Sequence, residues 1–344
     1  APAAGARDPL RAARGRVELE GELVSLGALL RLDAATIEGG QGSLKAGISL
    51  DHGAIAEGSE LRIAAGPLRV ELPGGAAKVL PAGLVMTARR RSADQPLLTL
   101  DVSVPELVQQ APGAQGSLGG IHVELEAVGA DLTAPRAQSG ALRASAARGL
   151  WRVGAATLAG GAKARLDLKE LDLRAGSARI ASGTVEAVDV VIAAPDAGHG
   201  RDRPRAPVHG TLRIDGGALS IRGGASLDGS IAAEGADAGV LLDLLGVTGA
   251  LRWTLEILEG RPFALSSALV RRPPRIELSD VRFESGHIEA RGAFAQDGDG
   301  RAGAFLVTTG ALSAGLSIEG GEPHVTSSPG EDWLARRLDA ITGR

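Results

Sequence analysis

The sequence predicts an all-β chain of short, mostly antiparallel strands. Three observations carry that reading. Apolar and charged residues alternate with period two, as a sheet with one dry and one wet face requires. Glycine doublets recur at short intervals, and glycine is 50 of 344 residues. Stretches with helical period are few.

The strands follow in order. In Arg16-Val17-Glu18-Leu19-Glu20, Val17 and Leu19 share a face. Leu61-Arg62-Ile63 and Leu68-Arg69-Val70-Glu71-Leu72 repeat the device, as do His122-Val123-Glu124-Leu125-Glu126 and Arg165-Leu166-Asp167-Leu168-Lys169. Leu171 and Leu173 continue that last run. Arg275-Ile276-Glu277-Leu278 and Val281-Arg282-Phe283-Glu284 are the sharpest late examples. Gly39-Gly40, Gly74-Gly75, Gly119-Gly120, Gly160-Gly161, Gly216-Gly217, Gly223-Gly224 and Gly320-Gly321 supply turns, helped by Asp228-Gly229, Asp297-Gly298 and Asp299-Gly300. This spacing gives roughly eighteen to twenty-two strands, paired in sequence order. If they form one sheet, the object is elongated.

Two helices are expected. Residues 237–246 carry Val240, Leu241, Leu244 and Leu245 at helical spacing, ended by Gly246. At the C-terminus Ser328 can cap, with Pro329 at the first helical position and Glu331 completing a capping box; Leu334, Leu338 and Ile341 then line one side, with Trp333 at its margin. Residues 194–207, with three Pro and several Arg, form a loop. The strand grammar is the same on both sides of it. The expected organisation is therefore one continuous β domain over 1–327, then a C-terminal helix and tail over 328–344.

Composition narrows the function. Charge is 37 minus 41, or −4, so no basic field for nucleic acid exists. The sequence has no Cys, which removes disulfides and thiolate chemistry. Aromatics are 2%, too few for a stacking series. No apolar run is long enough to span a bilayer as a helix. The opening Ala1-Pro2-Ala3-Ala4-Gly5-Ala6 lacks a charged segment followed by an apolar one. It reads as the stretch beyond a removed signal or anchor, or as an arbitrary boundary.

Chemistry-bearing motifs are missing. The six His, at 52, 122, 199, 209, 287 and 324, form no HExxH and no pair at i,i+4. His122 belongs to the wet face of its strand. His199 and His209, near Asp196 and Asp202, are better explained as solvated loop residues than as a metal site. Ala311-Leu312-Ser313-Ala314-Gly315 lacks the first glycine of a nucleophile elbow. Asp297-Gly298-Asp299-Gly300 lacks the later ligands of a calcium loop. Glu18/Glu20 and Glu124/Glu126 are wet-face pairs, not a converging acid–base couple. Arg89-Arg90-Arg91, Arg271-Arg272 and Arg336-Arg337 are separated and read as solvated surface, with an anionic membrane as the lesser partner. Neither a cofactor nor a metal is expected, and the chain is not expected to be an enzyme.

A resemblance adds to this. Pro262-Phe263-Ala264-Leu265-Ser266, the run from Arg275 through Glu284 to Gly292, then Gly303-Ala304-Phe305-Leu306-Val307 and Gly310-Ala311-Leu312-Ser313-Ala314-Gly315-Leu316 resemble the AsmA-like and TamB-type proteins of the Gram-negative envelope. The strand-and-Gly-turn style extends over nearly the whole chain; no residue carries over as catalytic. The resemblance implies an all-β, elongated sheet curled into a groove. It also implies a periplasmic protein, anchored in the inner membrane in its longer form. Its implied function is non-enzymatic binding or transfer of phospholipid acyl chains, serving outer-membrane homeostasis. Implied partners are a phospholipid or other acyl lipid and envelope proteins of either membrane, without nucleic acid.

The groove-lining candidates are Val17, Leu19, Leu61, Ile63, Val123, Leu125, Leu166, Leu168, Ile276, Leu278, Val281 and Phe283. From periodicity alone they would equally fill a closed sandwich, barrel or β-helix. A structural β-solenoid or envelope-assembly scaffold that binds protein is therefore the alternative. A polysaccharide-active enzyme would need converging carboxylates and flanking rings, and rings are scarce.

Overall fold

In the computed structural model the described residues are 12–22, 36–38, 41–51, 54–71, 77–91, 97–111, 114–129, 136–153, 156–172, 175–195, 202–204, 208–220, 226–239, 258, 260–272, 274–297, 300–320, 322–329 and 332–342. They form twenty-two strands and one C-terminal helix. The strand pairs whose register is defined are antiparallel, for example β1 (Ala12–Glu22) with β3 (Gln41–Asp51). The chain divides into two compact units, Ala1–Pro112, Ser117–Ala147 and Ala164–Arg179 in the first, and Gly113–Gly116, Arg148–Lys163 and Ile180–Arg344 in the second.

The first unit contains β1 and β3 with β2 (Thr36–Glu38), β4 (Ala54–Ile55), β5 (Glu60–Ala65), β6 (Leu68–Glu71), β7 (Ala77–Leu80), β8 (Leu84–Arg90) and β9 (Leu97–Ala111). Pairing here departs from sequence order. One limb runs β1–β3–β5–β8–β9 and the other β2–β6–β7–β9. β9 is long enough to serve both: Leu98 to Ser103 pair with β8, and Val108 to Gln110 pair with β7. The fork is filled by buried Leu80 and Val104, packed with Ala65, Leu84, Val102, Leu107 and Ile121. At the turn into β8, Gly83 takes φ 74 against the Ala65 carbonyl, which a side chain would strike.

Strands β10 (Ala114–Val128), β11 (Arg136–Val153), β12 (Ala156–Asp172) and β13 (Ser177–Pro195) each contribute residues to both units. β12 carries a phase slip. Leu166, Leu168 and Leu171 are all buried, although Leu171 is out of step with strict alternation. Glu170 absorbs the extra residue at φ 51. One left-handed residue thus brings Leu171 back into the buried phase of Leu166 and Leu168, as a β-bulge does.

The second unit continues with β14 (Asp202–Pro204), β15 (Val208–Ser220), β16 (Ser226–Gly235), β17 (Phe263–Arg272), β18 (Arg275–Ser285), β19 (Ile288–Asp297), β20 (Gly300–Thr309), β21 (Leu312–Glu319) and β22 (Glu322–Ser327). From β15 to β22 each strand pairs with its sequence neighbour, as expected. β14 pairs β13, so a short strand stands within the expected 194–207 loop; residues 196–201 and 205–207 of that loop lie outside the described residues. β18 repeats the slip of β12. Asp280 takes φ 53 between Leu278 and Val281, where the register with β19 shifts. Buried Ser267 donates its hydroxyl to the carbonyls of Ser279 and Ala268, each at 2.8 Å, which satisfies backbone groups left by the irregular pairing.

The core of this ladder is Val281, Phe294, Phe305, Leu316 and Ile318, with Leu265, Leu278 and Val307 against it. Its rings lie over glycines of neighbouring strands. Phe305 is the direct partner of Gly292, and Phe263 that of Gly235. A methyl on either glycine would meet the facing ring. On the opposite face, Ala293, Ala295, Ala304, Gly315 and Ser317 are also buried, and helix α1 (Asp332–Thr342) packs on β19 and β20.

The expected helix start is corrected. Ser328 takes φ 50 and its amide donates to the Ser313 carbonyl at 3.3 Å, extending the β21–β22 pairing, and Pro329 is not helical, so the first helical turn does not begin there; residues 330 and 331 lie outside the described residues. Trp333 is central rather than marginal: its indole covers Gly315, whose Cβ would lie 2.7 Å from the ring. Arg337 stacks on Trp333 at 5.2 Å and pairs with Glu319; Arg275 donates to the Ile341 carbonyl at 3.4 Å. The helix expected over 237–246 lies outside the described residues from 240 onward.

Thus the fold is all-β, open and mostly antiparallel, with one short C-terminal helix. Among the described residues the defined pairings join β1 to β3 and β22 to β21.

Candidate functional site

In the first unit, register turns alternation into a surface. Val17 faces Ala46, Ala46 faces Leu61, Leu61 faces Ala88 and Ala88 faces Leu100. The adjacent rung is Leu19, Leu44, Ile63, Met86 and Val102. Directly opposed residues in an antiparallel pair share a face, so five strands present one apolar surface. The other face is charged. Glu18 lies 3.7 Å from Lys45, and Arg89 lies 3.2 Å from Glu60. Further along, His122 sits 3.6 Å from Asp101 and Arg143 lies 3.2 Å from Glu124.

The apolar surface is graded. Ala46, Ala88 and Leu98 are buried, Leu61 and Ile63 are half-buried, and Val17 on the edge strand is 47% exposed. Val123 and Leu125 are half-buried on β10, and Leu166 and Leu168 are buried on β12. The side chain of Leu19 lies outside the described residues, although its backbone pairs with Leu44. Leu61 and Ile63 therefore keep part of their apolar area open, which is what a ligand-lined groove requires.

The four candidates of the second unit behave differently. Val281 is buried at 4% and belongs to the ladder core. Leu278 packs against that core and Phe283 against the neighbouring Ala238, Leu258 and Ile288, with the Phe263 and Phe283 rings stacked at 6.2 Å. Ile276 is half-buried. The bulge at Asp280 puts all four on one face, which strict period two would deny.

Sequence reading missed several members of these surfaces. Leu98-Thr99-Leu100-Asp101-Val102-Ser103-Val104 alternates as cleanly as any strand, and it supplies Leu98, Leu100, Val102 and Val104. Met86 and Leu44 sit in weaker patterns. They become visible only through register.

Among the described residues, two of the open clefts are lined mostly by strand residues. One, of about 600 Å³, belongs to the second unit and is bordered by Glu186, Thr211, Glu234 and Phe263 among others. The second, of about 530 Å³, belongs to the first unit and is bordered by Glu20, Ser43 and Ala64 among others. Arg213 holds Glu234 at 3.0 Å.

Among the described residues, no group of three or more His, Asp or Glu is placed to hold a metal ion. Hydrogen bonding and charge from Arg337 hold the Glu319 carboxyl below the usual carboxylate range. Among the described residues no helix is long and apolar enough to cross a membrane. In comparison with known proteins, the chain matches no family model, no curated protein and no solved structure at a significant level.

Proposed function

We propose that this chain binds acyl lipid along the apolar face of its open sheet, and that it moves phospholipid or supports its movement in a bacterial envelope. The carrying observation is the two-rung apolar surface through Leu61 and Ile63, half-open to solvent and backed by a charged face. Such a surface removes methylene groups from water without a hydrogen-bonding match, which suits acyl chains. The AsmA-like resemblance supports the same reading, and with it a periplasmic setting and an inner-membrane anchor in a longer form. In this proposal the protein is not an enzyme, and its partners are lipid and envelope proteins.

A second reading has its own observation. In the second unit Val281, Phe294, Phe305, Leu316 and Ile318 form a dry core. That part of the sheet suits a scaffold that binds protein.

The test is lipid retention. Wild-type protein is purified from Gram-negative cells and co-isolated phospholipid per protein is measured by mass spectrometry. Ile63→Asp places a carboxylate on the apolar face and should reduce retention severalfold, at about 1–3 kcal/mol for a polar group left unsatisfied there. Arg62→Gln, on the opposite face, should leave retention unchanged. Wild type without lipid, or equal retention in both folded variants, defeats the proposal.

A further inference from the structure

We infer that the charged face of the second unit docks on the same face of a second copy, as a two-fold dimer held by reciprocal Arg–Glu contacts. The inference goes beyond lipid binding and does not depend on it.

Register arranges that face in two rows of opposite sign. From β15 to β19 one row runs Arg213, Ala232, Ser266, Arg282 and Arg291, each directly opposed to the next. The row beside it runs Thr211, Glu234, Ala264, Glu284 and Glu289 in the same way. Directly opposed residues share a face. Arg282 and Glu284 alternate with Val281 and Phe283, so both rows turn away from the apolar clusters that those two join. All the Arg and Glu of the two rows are exposed.

At β15 and β16 the rows satisfy each other, because Arg213 lies 3.0 Å from Glu234. At β18 and β19 the register sets like against like. Arg282 directly opposes Arg291, and Glu284 directly opposes Glu289. Like charges so placed destabilise a sheet. Among the described residues none of these four has an ion-pair partner.

The pattern is its own complement. Two residues separate the rows on each strand, or about 7 Å. A two-fold axis midway between the rows and parallel to them lays the Arg row of one copy on the Glu row of the other, and the reverse. Arg282 then faces Glu284 of the partner subunit and Arg291 faces Glu289 of the partner subunit. Symmetry doubles both contacts, so each like-charged pair acquires two opposite charges. Ala232, Ser266 and Ala264 keep the middle of the strip low, which lets the two faces approach. Helix α1 packs on β19 and β20, where Ala293 and Ala304 lie buried two residues beyond the Arg row, so it borders the strip and leaves both rows open. An anionic membrane suits the face less well, since the Glu row would be repelled by it. The rows span about 19 Å at 4.8 Å per strand, so the interface is small and the dimer reversible and salt-sensitive.

The full chain is followed by sedimentation velocity over a range of concentrations, in low salt and in about 1 M salt, where the screening length is about 3 Å. Tryptophan fluorescence checks that each variant is folded, and each protein is also floated with phosphatidylglycerol vesicles. Wild type should dimerise in low salt and lose at least about tenfold in affinity in high salt. Arg282→Glu with Arg291→Glu makes both rows acidic and should weaken self-association by about a hundredfold. Glu284→Arg with Glu289→Arg makes both rows basic and should do the same. An equimolar mixture of these two double variants should dimerise at least as tightly as wild type. If either double variant does not fold, Arg291→Gln decides, with an expected loss of about tenfold. A wild type that is monomeric throughout, self-association unchanged in the folded variants, or a mixture that stays monomeric would each overturn the inference. Wild type that is monomeric alone yet floats with the vesicles, and no longer does so after Arg282→Glu with Arg291→Glu, would overturn it in favour of a lipid surface.

Discussion

The bulge in β18 makes a demand that can be measured. Asp280 holds φ 53, a conformation that sits easily with glycine, tolerably with Asp and poorly with a β-branched residue. Asp280→Val forces such a residue into the left-handed region and should destabilise the second unit by about 2 kcal/mol. Asp280→Gly removes the steric term but adds unfolded-chain entropy of similar size, so it should stay within about 0.5 kcal/mol of wild type. Deletion of Asp280 should be tolerated: without the extra residue Ile276, Leu278, Val281 and Phe283 fall into strict alternation, so all four keep their face. Trp333 reports on this unit through its contact with Gly315. Urea denaturation followed by tryptophan fluorescence, in a background where Trp151 and Trp253 are replaced by Phe, would therefore read out the ladder. The expected order of midpoints is wild type, Asp280→Gly and the deletion close together, then Asp280→Val, with equal slopes for the point variants. A deletion that unfolds the ladder would refute the claim that Asp280 is the extra residue that sets the apolar phase.

Two further outcomes follow from the same ladder. Gly292→Ala places a methyl against the Ala304 carbonyl and the Phe305 ring, and should lower stability by about 1–3 kcal/mol in the same denaturation assay. Glu319 is held below the ordinary glutamate range by Arg337, so its contribution is full above the unfolded-state value and is lost as pH falls through the lower folded value. Trp333 fluorescence should accordingly change on acidification through that window, and Glu319→Gln should flatten the change.

Much of this fold is legible in the sequence because a sheet with one wet face writes itself as alternation. Val17 to Leu19 and Leu61 to Ile63 are read directly, and register then places them on one surface. What alternation conceals is phase. Leu166 and Leu168 against Leu171, and Ile276 and Leu278 against Val281 and Phe283, look like separate strands until an acidic residue in the left-handed region joins them. Asp189 in β13 shares that conformation, and the three segments share a pattern: apolar residues two apart, then an acidic residue, then an apolar one. That pattern is itself a sequence signal. The fork at β9 has no such signal, because the choice between β7 and β8 as partner depends on tertiary pairing. The start of α1 differs for a related reason: Ser328 fits a cap by composition, but it takes φ 50 and continues the β21–β22 pairing, and Pro329 after it is not helical.

That fork also separates the molecule by the loops its assembly must close. From β17 onward every pairing joins consecutive strands across short turns, and β15 and β16 are roughly five residues apart. In the first unit β2 must find β6 across roughly thirty residues, a closure entropically dearer by about 1.5 kcal/mol before any contact rewards it. Short closures also favour speed, since folding rates fall as contacts become less local. From β17 the ladder can therefore zip strand by strand as the chain is released. The N-terminal limbs converge on β9 and must wait until residues as late as Gln110 are available.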